Sequence, residues 1–219
     1  MDEQPAMPYR RLRTPRAAAI AGIVFSALFG TSLILFRTAL DADPSIAVDW
    51  TGLAGTRVRL ALTLMPFAGI AFLWFLGVVR DRLGALEDRF FATVALGSAL
   101  VFLAMLFVAS AIAGGLLISS GTELGVDVER GLTAFGRAMM LQISNVYALR
   151  MGAVFMLSIG TVWLRTGLMP RWLVATTYLL ALLMLFIVNL NLWVTLLFPT
   201  WVVVVSSYIL VRPSGVGDD

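Results

Sequence analysis

The chain has 219 residues, of which 60% are hydrophobic and 13% charged, where a soluble domain carries about 25% charged residues. It has no cysteine and no histidine, and its net charge is +3. Disulfides, Cys/His metal centres, histidine general bases and cysteine nucleophiles are thereby excluded, and so small a charge gives no sign of nucleic-acid binding.

The first residues, Met1 to Arg16, hold Pro5, Pro8, Pro15 and the arginines Arg10, Arg11, Arg13 and Arg16. They read as a short basic tail (1–16) beside the anionic inner leaflet. The chain lacks lysine entirely, which fits the codon bias of a GC-rich genome. From Ala17 onward the sequence is dominated by apolar runs. A bilayer core about 30 Å thick takes about 20 such residues as helix. The expected fold is therefore all-α: a polytopic transmembrane bundle occupying 17–211 as one domain, with a polar tail at 212–219.

The first span is Ala17 to Phe36, too long for the apolar region of a signal peptide and without a convincing cleavage site. Ala18, Gly22, Ser26 and Gly30 recur in it every four residues, a stripe of small residues that lets another helix approach closely. An outer loop, Thr38 to Thr56, comes next; its Asp41, Asp43 and Asp49 lack EF-hand spacing, so no metal is expected there. The second span, Val58 to Val79, carries Pro66 in its middle, which removes a backbone donor and predicts a kink. The inner connection Arg80 to Arg89 alternates charge signs and reads as a solvated hairpin turn with weak ion pairs.

The third span runs from Phe91 to about Ile118, with weaker small-residue pairs at Ala95/Ala99 and Ser110/Gly114. A second outer loop, Ser119 to Arg137, contains Glu123, Asp127, Glu129 and Arg130, and Gly131 to Met140 is expected to continue as an interfacial helix. The fourth span is Gln142 to Leu164. The last apolar stretch, Trp172 to Val211, is too long for one crossing. It breaks best at Asn189-Leu190-Asn191, giving a fifth and a sixth helix, and Pro199 is expected to interrupt the sixth. One long tilted helix, with five spans in all, is the alternative.

Arginine placement orients the bundle. With six spans, the inner segments take Arg10, Arg11, Arg13, Arg16, Arg80, Arg82, Arg89, Arg165, Arg171 and Arg212. The outer loops and span edges take Arg37, Arg57, Arg59, Arg130 and Arg137. This bias puts both termini in the cytoplasm.

No catalytic motif of the zincin, hydrolase-elbow or phosphate-loop kind is present, and no carboxylate falls inside a predicted span. Proton-coupled carriers keep such groups in the membrane, which argues against that chemistry. Arg150 is the charge that the reading places within a span. It sits about 22 Å from the inner edge, with Tyr147 on the same helical face and Asn145 turned away. Snorkelling and structural pairing compete with ligand binding at this residue. A candidate outward-facing pocket would combine Arg150 and Tyr147 with Asn189 and Asn191.

The runs Arg16-Ala17-Ala18-Ala19-Ile20-Ala21-Gly22, Tyr147-Ala148-Leu149-Arg150-Met151 and Trp163-Leu164-Arg165-Thr166-Gly167-Leu168-Met169-Pro170-Arg171-Trp172 resemble segments of uncharacterised bacterial six-span integral membrane protein families. These are found mostly in GC-rich, actinobacterial-like genomes. The resemblance covers most of the chain. It implies a multi-pass protein of the bacterial inner membrane and brings no activity, cofactor or mechanism with it.

Two functions are expected on these grounds. The first is a non-enzymatic structural or accessory subunit of a membrane assembly, with membrane lipids and a membrane-protein partner or a second copy around it. The second is a small carrier or lipid- and anion-binding protein using the polar site around Arg150. Neither calls for a cofactor or a metal.

Overall fold

A computed structural model describes residues 15–40, 43, 46, 48, 50–84, 89–120, 125–186 and 192–211. It is 92% helical with no strands among the described residues, so the fold is all-α. The helices are α1 (Pro15–Ala39), α2 (Leu53–Gly84), α3 (Arg89–Ser119), α4 (Val126–Leu141), α5 (Leu149–Thr166), α6 (Arg171–Phe186) and α7 (Leu197–Val211). A π-helical segment, Gln142–Ala148, joins α4 to α5 without interruption, and a 3-10 turn, Leu192–Leu196, leads into α7. Five stretches are long and apolar enough to cross a bilayer: Ala17–Ala39, Leu53–Gly77, Phe90–Ser119, Val126–Thr166 and Trp193–Val211.

Local chemistry explains the boundaries. Gly167, at φ 66°, ends α5 in the left-handed region, and its N–H donates to the Trp163 carbonyl at 3.0 Å. Pro170 comes soon after, and its carbonyl accepts from Leu173 and Val174 to open α6. Arg57 reaches back to donate to the Thr38 carbonyl at 2.9 Å, satisfying one of the open acceptors at the end of α1. Asp127 and Glu129 lie in the first turn of α4, where the helix dipole favours negative charge.

The two prolines behave differently. Pro66 lies inside an unbroken α2. Pro199 falls in the first turn of α7, after the 3-10 turn. The helix there changes from 3-10 to α just before Pro199, so the irregularity expected of this proline falls on its N-terminal side.

The last hairpin exists, but it is uneven. Trp201 Nε1 donates to Thr177 Oγ1 at 2.8 Å, and Trp172 stacks edge-on with Tyr208, so α6 and α7 run antiparallel. That geometry rules out a single long helix over the last stretch. Yet α6 has 16 residues, about 24 Å of helix, which is short of a full crossing. Residues 187–191, with the predicted turn at Asn189 and Asn191, lie outside the described residues, as do most of both tails, 85–88, Asp41, Asp49 and Glu123.

The helices close around a plug of aromatic rings. Phe72 of α2 meets Phe25 of α1, Phe102 of α3, Phe155 of α5 and Phe198 of α7, with ring centroids between 4.8 and 6.1 Å apart. All five side chains are almost fully buried. Lipid tails are as apolar as these rings, so the fold gains from dense packing and edge-to-face geometry more than from removal of water.

The small-residue stripe of α1 is only partly used. A Cβ on Gly22 would overlap the Ser206 hydroxyl of α7 and press on the Phe75 ring of α2. Ala18 and Ser26 are buried beside it. Gly30 has nothing within 4 Å of a built Cβ. The reason is rotational. A spacing of four residues drifts by about 40° per step around a 3.6-residue helix, so three steps carry Gly30 about 120° off the packed face. Gly22→Ala is therefore expected to destabilise by about 1–3 kcal/mol through overpacking. Gly30→Ala should be neutral or gain up to about 1 kcal/mol in helix propensity. Equal effects in denaturant titrations of the two variants would contradict this packing.

Candidate functional site

A second, smaller apolar cluster lies at the end of the bundle where α1 finishes and α2 begins. It contains Leu40, Trp50, Val58, Ala109, Ala113, Leu116 and Met140. Between this cluster and the aromatic plug is a cavity of about 50 Å³. Its walls come from α1 (Leu33, Phe36, Arg37, Leu40), α2 (Met65), α3 (Leu106, Ala109, Ser110), α4 (Arg137, Met140, Leu141) and the π segment (Ser144). Leu33 and Leu106 are each one helical turn from the plug residues Phe29 and Phe102, so the rings close off the bundle axis just beyond the cavity.

Two arginines enter this apolar space. Arg137 is 0% exposed, and its Nη1 donates to the backbone carbonyl of Ile46 in the α1–α2 connection. Arg37, in the last turn of α1, is half-buried, and its Nη2 donates to Asn145 Oδ1 at 2.8 Å. Asn145 is itself buried and belongs to the π segment. The Arg37–Asn145 bond thus links the end of α1 to the π segment beside the cavity. Its acceptor is a neutral amide, and among the described residues no carboxylate pairs with Arg37. The two serines of the lining turn their hydroxyl protons onto their own helices. Ser110 donates to the Leu106 carbonyl and Ser144 to the Met140 carbonyl, both at 2.8 Å.

Arg37 and Arg137 are assigned by the sequence to loops and span edges. Arg37 does lie at such an edge, in the last turn of α1, and Arg137 lies on α4 within the expected Gly131–Met140 helix; what differs is that Arg137 is fully buried and Arg37 half-buried. Arg150 is thus not alone among the helix arginines in being withdrawn from solvent. The cause is the length of the fourth helical stretch. It begins at Val126 rather than Gln142, and 41 residues give about 62 Å of helix, twice the bilayer core. Gly136 lies against Leu116 and Gly152 against Phe102, so α4 starts beyond the end of α3 and runs back alongside it. That path carries Arg137 inward beneath the α1–α2 connection.

The candidates around Arg150 fall elsewhere. Arg150 does not line the cavity; its Nη1 bonds the Val146 carbonyl of its own helix at 3.3 Å. Tyr147 is exposed. Asn189 and Asn191 lie outside the described residues. Arg150 and Tyr147 thus stand apart from the cavity lining. The cavity face was nevertheless legible in principle. Arg137, Met140, Leu141, Ser144, Asn145 and Ala148 have the spacing of one helical face, and an arginine and an amide on an apolar face are the polar exceptions.

The π segment shapes this wall. Each π turn takes up an extra residue and rotates the rest of the helix relative to a regular one, and such segments recur at functional sites. Gln142, Ser144 and Asn145 give it side chains that compete for backbone groups. Comparison with known protein families, with curated proteins and with solved structures gave no match.

Proposed function

We propose that this chain is a small carrier or anion-binding protein of the bacterial inner membrane, with its ligand site at the Arg37–Arg137 cavity. A single observation supports this most: Arg37 brings a positive charge to an apolar cavity and, among the described residues, bonds only a neutral amide. Holding a guanidinium in such a place is costly unless an anion compensates it. The cavity holds roughly three to five water-sized groups, at about 10–15 Å³ each, which suits one small anionic group.

The expected result is a ligand-dependent rise in thermal stability. Purified protein would be unfolded in mild detergent with chloride, acetate, butyrate, phosphate or sulfate at constant ionic strength. At least one anion should raise the midpoint by roughly 3 °C. Arg37→Gln should abolish that rise. If no anion shifts the wild-type midpoint, the reading fails.

This reading includes six crossings with both termini in the cytoplasm. The antiparallel pairing of α6 with α7 and the arginine distribution support it. Topology reporters fused after residue 191 and at the C-terminus should then report opposite sides. Agreement between them would remove the last crossing.

A second reading, an accessory subunit of a membrane assembly, is favoured by one feature. Val128, Leu132, Phe135 and Met139 form an exposed apolar stripe on α4. Copurification of a stoichiometric membrane-protein partner would support it.

A further inference from the structure

We infer that the anion taken by this cavity is the carboxylate of an alkyl acid, and not phosphate or sulfate. The inference rests on the anion-binding reading above and narrows it to a ligand class.

Donor supply decides between these chemistries. Phosphate and sulfate present three or four oxygens, and each buried oxygen left without a donor carries a desolvation penalty. The cavity offers few donors. The hydroxyls of Ser110 and Ser144 are committed to the Leu106 and Met140 carbonyls. One Arg37 nitrogen is engaged by Asn145, and Arg137 donates to the Ile46 carbonyl. The remaining Arg37 edge matches the two oxygens of one carboxylate, in the planar fork that guanidinium forms with such groups. The charge at Arg37 matches as well, a monoanion against a guanidinium that has no carboxylate partner among the described residues, while Arg137, the second guanidinium of the lining, is tied to the Ile46 carbonyl.

The rest of the lining then has a use. Leu33, one turn from Arg37 on α1, joins Met65 of α2 and Leu106 of α3 in an apolar part of the lining. An inorganic oxyanion would set polar atoms against this part, whereas an alkyl group would meet it without loss. A carboxyl group plus one to three carbons occupies about the three to five water-sized positions that the volume allows. Such a head comes from two sources: a free short-chain acid, or the carboxyl end of a fatty acid lying in the bilayer.

The test uses the full chain in mild detergent and reads the thermal midpoint. Acetate, butyrate, octanoate and palmitate would be compared with phosphate and sulfate at constant ionic strength, each acid below its own micelle-forming concentration. We expect butyrate to raise the midpoint by roughly 3 °C, with phosphate and sulfate leaving it unchanged. A shift that peaks at butyrate identifies a free short-chain acid, and one that grows to palmitate identifies a bilayer fatty acid. Equal shifts with phosphate or sulfate would overturn the carboxylate inference and leave the anion-binding reading standing. The absence of any shift would overturn both. Ser110→Leu, which fills the cavity, should abolish the butyrate shift; a shift that survives in this folded variant would show that the acid binds elsewhere. The series on the unmodified protein decides the ligand class even if this variant fails to fold.

Discussion

Phe72→Ala is expected to destabilise the bundle by about 3 kcal/mol. The void it leaves is on the order of 100 Å³, and at about 24 cal/mol per Å³ the cavity alone accounts for roughly 2.4 kcal/mol. Lost ring contacts with Phe25, Phe75, Phe102, Phe155 and Phe198 add to this. The transfer contribution that dominates in soluble proteins is small here, because an unfolded helix in lipid keeps its apolar surface in an apolar medium. Phe67 is the matched control. It lies on the same helix but is exposed, so Phe67→Ala should change stability by less than about 0.5 kcal/mol. Reversible unfolding in mixed micelles separates the two, and a similar loss in both variants would mean that the aromatic plug does not hold the bundle together.

The second large effect is expected at Arg137. Truncation to alanine removes a fully buried guanidinium and leaves the Ile46 carbonyl without this donor. Removing one member of a buried charged hydrogen bond costs about 2–4 kcal/mol. The loss should be local before it is global. Hydrogen exchange at Ile46 and Trp50 should quicken, because Arg137 ties the α1–α2 connection over the cavity and Trp50 packs against the same end. Arg137→Met, which keeps the apolar stem, should recover part of the stability without restoring the tether. Wild-type exchange at Ile46 in Arg137→Ala would contradict this role.

These two residues differ in how far the sequence reveals them. Phe25, Phe29 and Phe72 stand out in no way among the other apolar residues of their spans. In a membrane span both the lipid face and the core face are apolar, so hydrophobic periodicity does not say which rings point inward. Gly22 shows the same limit from another side. The four-residue stripe is plain in the sequence, but helical drift decides that Gly22 is pressed between two helices while Gly30 is not. Arg37 and Arg137 read as span-edge charges because the usual span length places helix ends beside them. Their burial comes from the early start of α4 and from the π segment that turns Asn145 toward α1.

The helical class, the existence of several long apolar helices and the exclusion of cysteine and histidine chemistry were all readable in the sequence, since composition and run length act without regard to partners. So was the division of the last apolar stretch into two helices, because 40 residues are too many for one crossing. The cavity was decided in three dimensions. A charge is buried or solvated according to what packs over it, and the groups around Arg37 and Arg137 come from segments as much as 108 residues apart. No local pattern encodes that distance; the packing of α1 against α2 and of α3 against the π segment does.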